Sequence, residues 1–431
     1  MRPSSAAASR PLLCLLIPVL LAAFVRSADG ADGEQSGPVI DCRPLLDDGV
    51  LSRERRPWRG TRTSSTAKYP IPGSSPPRFS ELSASERVHF TRCGTIPVDE
   101  SMFVDDSGPP GGTFYQFSAD HARALVDAAT ALVALVREHG ASRGALLHAR
   151  RRRQRAPPES EVWLLEALVT FFSDEPDELD EPGERLPSGK EKKSVLVFGS
   201  MSPWVEALCL AFGATETTTV EYNRLNYDHS AMSTVTADDF WAAVDAEGNH
   251  DAGNDGAGKS DGDAAGVAPA IPGAPFAAIL SISSFDHDGL GRYGDPIAPD
   301  GDILTMRRIL AASDRLLASP DDASRMFLTV PLGPDLVAWN LMRRYGRVRL
   351  PLLLGGWDVV QTYGFEDARL DLPNAGKRNF RQSWEPVLVL AKGYLGTGGT
   401  GGGGGPRAPK IFGEADTDGE RRRAAAVRDA L

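Results

Sequence analysis

The loop after the first strand of the core, "KKSVLVFG", has Gly199 but no GxGxxG. Dinucleotide diphosphates need the close backbone approach those glycines permit, so the absence argues against NAD. There is no CxxC, and no Cys/His spacing of the kind that holds zinc. The aspartate-rich run after Asp245 lacks the glycine at position six and glutamate at position twelve that a calcium loop requires. A basic excess is missing too: 47 Lys and Arg stand against 58 Asp and Glu, a net charge of −11. A general nucleic-acid binder needs a basic face, so none is expected. Beyond residue 25 no apolar run is long enough to span a bilayer.

What is there begins with a targeting signal. Arg2 and Arg10 precede "LLCLLIPVLLAAFV", residues 12–25, and the small residues Ser27 and Ala28 follow. Basic flank, short apolar run and small-residue site predict a signal peptide over 1–27, or an uncleaved signal anchor. The expected location is the secretory lumen or outside the cell; the anchor would instead make a single-pass membrane protein. Of four cysteines, Cys14 lies in the signal and Cys209 in a predicted helix. Cys42 and Cys93 can pair in an oxidising lumen or remain two thiols.

Residues 28–80, rich in Pro, Ser, Gly and Arg without period, read as a disordered linker. Residues 81–189 read as a helical N-terminal region. Its main helix is capped by Ser118 or Asp120, carries Leu125, Ala129, Leu132, Val133 and Val136 on one stripe, and ends at Gly140. From about 190 to 395 short apolar strands alternate with helices. "KKSVLVFG" is followed by a helix with Ser202 at its N-cap and Gly213 past its end. "TETTTVEYN" precedes a helix capped by Thr236. "PFAAILSISSF", "RMFLTVPLG" and "WEPVLVLAKGYL" complete the strands. The fold class is α/β, a doubly wound and mostly parallel sheet. Residues 245–275, mostly Gly, Ala, Asp and Asn, read as a disordered insertion, and 396–431 as a flexible Gly-rich charged tail.

Ligands of open parallel sheets bind at the carboxyl ends of the strands. Three predicted strand ends therefore mark the site. Gly199 and Ser200 follow the first and can meet a ligand through backbone N–H groups, or Gly199 merely permits a tight turn. Glu221 ends the second, at the spacing from Gly199 where an acid can accept ribose hydroxyl protons. Asp286, His287 and Asp288 end the third. His287, or Asp286, is a candidate general base, or a loop histidine bonded to a carboxylate. No metal site is assigned, because consecutive side chains do not converge on one ion; a metal site would need His229 or another distant partner. Arg292 and Tyr293 in the following Gly-rich loop, with Asn340 and Arg344 further on, are candidate acceptor-binding residues. The alternatives are a rigid surface loop with Arg292 paired to Asp295 and, for the segment holding Asn340 and Arg344, packing on the sheet with its arginines solvated.

The core resembles class I S-adenosylmethionine (SAM)-dependent methyltransferases, with a Rossmann-like core, in its Gly199 loop, Glu221 and "SSFDH". More closely, "VLVFGSMSPWVEALCLAFGA", "SSFDHDGLGRYGDPIAPDGD" and "WNLMRRYGRVRLPLL" resemble a domain-of-unknown-function family, the two hundred and sixty-eighth of its series, over roughly 190–395. The resemblance implies a SAM site at Gly199, Ser200 and Glu221 and a methyl acceptor near His287. That acceptor is expected to be a small molecule or a glycan hydroxyl of the secretory pathway. The competing expectations are a non-catalytic interaction protein on the same fold and a metal-dependent hydrolase using His287 and His229.

Overall fold

A computed structural model describes residues 76–106, 114–141, 159–172, 193–250, 271–319, 324–372 and 384–393. The signal segment, most of the linker, the arginine row at 150–155 and the Gly-rich tail lie outside the described residues. In chain order the strands are β1 (Val98–Asp99), β2 (Phe114–Phe117), β3 (Ser194–Phe198), β4 (Glu216–Glu221), β5 (Arg224–Tyr227), β6 (Met232–Thr236), β7 (Ala278–Ile282), β8 (Arg325–Thr329), β9 (Leu336–Ala338), β10 (Met342–Arg344), β11 (Trp357–Tyr363) and β12 (Val387–Lys392). The helices are α1 (Ala84–Phe90), α2 (Ala119–His139), α3 (Glu159–Phe172), α4 (Trp204–Phe212), α5 (Ala237–His250), α6 (Gly301–Ala311), α7 (Ser313–Leu316) and α8 (Arg349–Leu353).

Seven strands form the main sheet, in the order β11-β12-β8-β7-β3-β4-β6. The run β8-β7-β3-β4-β6 is parallel throughout. β12 runs antiparallel to both of its neighbours. The chain leaves β3 toward β4 and β6, then returns to β7 and builds outward through β8. The order therefore reverses between β3 and β7, which opens a crevice at their carboxyl ends.

β3 shows why the sheet needs helices on both faces. All five of its residues are buried. Val195 and Val197 join a core with α2, α3 and α4 on one face. Phe198 packs on the other against Phe240 and Trp241 of α5. Alternate side chains of a strand point to opposite faces, so a run without polar alternation requires two covers.

Several local expectations hold. Ser118 accepts a hydrogen bond from the His121 amide at 3.3 Å and Gly140, at φ 75°, ends α2. Thr236 accepts one from the Asp239 amide at 3.2 Å, and Gly213 closes α4 in the left-handed conformation. Ser202 differs. Pro203 is the N-cap residue of α4, and the Ser202 carbonyl instead accepts from the Trp204 amide at 2.7 Å.

The N-terminal region is not a separate helical unit. β1 pairs in parallel with β9 and β2 with β5, and α2 and α3 share the sheet's core because their apolar stripes have that face to bury against. Packed structure also starts before residue 81: Phe79 lies against Phe90 and Trp339, and the Trp339 indole donates to the Pro77 carbonyl at 3.0 Å. The insertion is narrower than its composition suggests. α5 runs to His250, and Asp245 pairs with Arg308 at 3.0 Å. At the other edge Ile271 is buried, and Thr218 and Ser194 donate to the Pro272 and Gly273 carbonyls. Residues 251–270 lie outside the described residues.

Candidate functional site

The first strand end turns at Gly199, where φ is +72°. A Cβ built there would come within 1.8 Å of the Ser284 Oγ. Glycine is thus required twice, by its backbone angle and by the approach of the loop that follows β7. Ser200 points away from the crevice. Its hydroxyl lies 3.0 Å from Glu206 Oε2 on α4 and 2.9 Å from the Ser202 carbonyl. Thr219 donates to the other Glu206 oxygen at 2.6 Å. Burial raises the fully buried Glu206 to about 7. The hydroxyl of Ser200 thus belongs to a polar cluster beneath the loop, because a buried acid needs partners.

Glu221 closes β4 and faces the crevice, 8% exposed, accepting from the Tyr222 amide at 2.9 Å. Burial raises its pKa. After β7 the chain forms a short 3-10 turn, Phe285–His287. Asp288 accepts from Thr305 at 3.0 Å and lies 3.5 Å from the Tyr222 hydroxyl. Its pKa is driven up by burial and then by the charge of Asp295. Asp295 shapes the glycine loop rather than pairing with Arg292. It accepts from the amides of Gly289, Gly291 and Tyr293 at 2.7, 3.0 and 3.1 Å.

These groups line one cleft of about 150 Å³, walled by Phe198, Trp241, Tyr222 and Tyr293, with Gly199, Glu221, His287 and Asp288 from the three strand ends. Among the described residues, no lysine or arginine lines it. Glu221, His287 and Tyr293 thus come together as the strand-end argument requires. Arg292, Asn340 and Arg344 do not line it. Arg292 pairs with Asp106 at 2.8 Å. Asn340 exchanges hydrogen bonds with the backbone of Val104 at 2.9 and 2.7 Å. Arg344 donates to the Pro334 carbonyl at 2.7 Å. All three hold loops against the domain, which explains polar residues in a segment whose backbone lacks regular partners.

Beside the cleft lies a buried ionic cluster. Asp302 accepts from Tyr345 at 2.8 Å and from two nitrogens of Arg349, with Arg343 at 4.0 Å. Burial alone would raise Asp302; Arg343 and Arg349 outweigh it and hold the carboxyl at about 2. Arg343 also donates to the Asp288 carbonyl, and Arg92 pairs with Asp300. Arg343 and Arg349 are buried rather than solvated. Their partners sit across the fold, and no local pattern reveals them.

His229 sits in the β5–β6 turn and accepts from the Ala231 amide at 3.2 Å. Among the described residues no group of three His, Cys, Asp or Glu is placed to hold a metal. Cys209 is a buried free thiol. Cys93 is disulfide-bonded.

Residues 273–392 match the model of a family described as Caenorhabditis protein of unknown function, DUF268. The matched span holds the Asp-His-Asp loop, Arg343, Arg349 and the last strands; Gly199, Glu221 and Arg92 fall before it. No curated protein matches. Among solved structures, a chain of the complex between the Haloferax volcanii Trm112 methyltransferase activator and a candidate methyltransferase is similar at 12% identity. The match covers 48% of this chain and 85% of that one, with a TM-score of 0.27.

Proposed function

We propose that the cleft binds SAM and supports methyl transfer to a neutral acceptor. The observation that carries this reading is the convergence of Gly199, Glu221 and His287 at the strand-order reversal of a doubly wound sheet. The antiparallel last strand, inserted between β8 and β11, also agrees with the sheet of class I methyltransferases. The donor set suits SAM. Among the described residues, a lining without lysine or arginine offers nothing to a diphosphate, whereas Glu221 can accept from the ribose hydroxyls and aromatic walls suit a sulfonium cation. Gly199 and Met201 would meet the methionine end. When bound, SAM supplies an electrophilic methyl group; His287 and Asp288 line the space where an acceptor's proton must leave.

For the acceptor we propose a hydroxyl, of a glycan if the apolar run at 12–25 directs the chain into the secretory pathway. The disulfide at Cys93 supports that compartment. Calorimetric titration of the full chain with SAM, with NAD as control, tests the cofactor. SAM should bind and NAD should not. Glu221→Ala should weaken SAM about ten- to a hundredfold, since losing hydrogen bonds to a charged group costs about 1.5–3 kcal/mol. Absence of SAM binding would leave the second reading, a non-catalytic interaction protein on this fold. The small cleft volume and the packing of Ser284 against Gly199 favour that alternative.

A further inference from the structure

His287 presents only one nitrogen for chemistry. Its Nδ1 lies 2.6 Å from the Leu341 carbonyl oxygen. A carbonyl can only accept, so Nδ1 carries the hydrogen and Nε2 carries the lone pair. The backbone of the β9–β10 turn, not a carboxylate, therefore sets the tautomer. The carboxylate sits at the other nitrogen: Asp286 Oδ2 is 3.5 Å from Nε2. Asp286 is fully buried, and among the described residues neither of its oxygens has a hydrogen-bond partner beyond its own backbone amide. Such a group is costly to keep unless it has work to do.

We propose that Asp286 and His287 act as a one-proton dyad, with the imidazole facing the cleft and the buried carboxyl behind it completing its capacity to take a proton. Identifying the proton's source as a methyl acceptor rests on the reading above; the dyad itself does not.

Neither group serves alone. Burial, and then the nearby charge of Arg292, lower His287 to about 4, too weak for a base acting near neutrality. Burial raises Asp286 to about 7 against the pull of Arg343 and Arg292, with Asp302 adding to the rise. Tyr293 and Tyr345 also face Asp286, and Asp295 and Glu385 act on His287. Two groups this close titrate as a unit. With its proton, the Asp286 carboxyl donates to Nε2. Without it, the Nε2 lone pair is open beside a carboxylate. A bound hydroxyl then breaks its O–H bond, its electron pair stays on the attacking oxygen, and the proton bonds to Nε2. The competent form exists above the dyad's midpoint, so turnover should rise with pH through about 7.

The test is long-range proton–nitrogen NMR on the full chain labelled at its seven histidines. His287 should keep the Nδ1–H tautomer from about pH 5.5 to about 8.5, while its Nε2 resonance shifts with one midpoint near neutrality. Asp286→Asn should keep the tautomer and abolish that step. A doubly protonated imidazole at neutral pH, a flat Nε2 titration in the wild type, or a step that survives in Asp286→Asn overturns the dyad. Should the variant fail to fold, the wild-type titration decides alone. Where SAM binds, the rising limb of the turnover profile should vanish in Asp286→Asn. Failure of SAM binding with the NMR step intact sinks the methyl-transfer reading and leaves the dyad standing.

Discussion

Asp286 and Asp302 flank one loop and are both fully buried, yet they end at opposite extremes for a carboxyl. Asp302 is surrounded by Arg343, Arg349 and the Tyr345 hydroxyl and is held at about 2. Asp286 faces a neutral imidazole, has no hydrogen-bond partner among the described residues beyond its own backbone amide and rises to about 7. Burial acts on both in the same direction, so partners decide the difference. The first arrangement stabilises the loop; the second leaves a group whose charge can change near neutral pH. A fold that fully satisfies one buried acid and leaves its neighbour short of partners separates support from reactivity within a single loop.

The largest effect should come from breaking the satisfied side. Asp302→Asn removes the buried countercharge of Arg343 and Arg349, with Asp300, 3.8 Å from Arg349, as the remaining carboxylate, and breaking such a pair costs about 3–5 kcal/mol. Urea unfolding at neutral pH measures it; a loss under about 1 kcal/mol would show that the cluster is not a clamp. Because Asp302 is depressed in the fold, its contribution is present above the ordinary carboxylate pKa of about 3.9 and is lost as pH falls toward its folded value. Acid unfolding of the wild type should therefore steepen in that window, and Asp302→Asn should remove the step.

An intermediate effect is expected at the turn that joins the two strand ends. Gly199→Ala forces a Cβ onto Ser284 at positive φ and should cost roughly 1–3 kcal/mol. It should weaken SAM more than thermal stability alone explains, which calorimetry on the folded fraction reads. Unchanged stability would mean that Ser284 moves freely and that the close approach is incidental.

The smallest effect belongs to the unsatisfied side. Below the ordinary carboxylate pKa of about 3.9, Asp286→Asn should change stability by less than about 1 kcal/mol, since both side chains are then neutral in the folded and the unfolded chain. Asp286 is raised in the fold, so its contribution is full below the ordinary carboxylate pKa and is lost as pH rises through about 7. The variant escapes that loss, and toward pH 8 the comparison should turn in its favour. A variant that is much less stable at both pH values would give Asp286 a structural partner that the geometry does not show.

Much of the parallel sheet was legible in the residues. β3, β7 and β8 are short apolar runs, β4 is a β-branched one rich in threonine, and Ser118, Thr236 and Gly213 punctuate the helices where their chemistry predicts. The short strands β1, β2, β5, β6, β9 and β10 were not legible, because two to five residues show no usable period and gain their pairing from distant segments. At the site, Glu221 and His287 line the cleft to which the strand-end rule points, whereas Ser200, Arg292, Asn340 and Arg344 do not line it. Tyr222 and Asp288 carry more of the lining than their sequence context suggested, and a strand-end residue followed by Tyr was the available signal.

The sequence by itself determined the alternating strand and helix pattern, the positions where the chain must turn, and the loop on which an acid-histidine pair would sit. Those are local properties, set by side-chain period, capping and backbone freedom. Only the tertiary structure decided which acid is which. Arg349 meets Asp302 across 47 residues, Arg343 meets the Asp288 carbonyl across 55, and Leu341 meets His287 across 54. Charge and protonation are settled by partners and burial, and both arise only when distant segments close around the same few side chains.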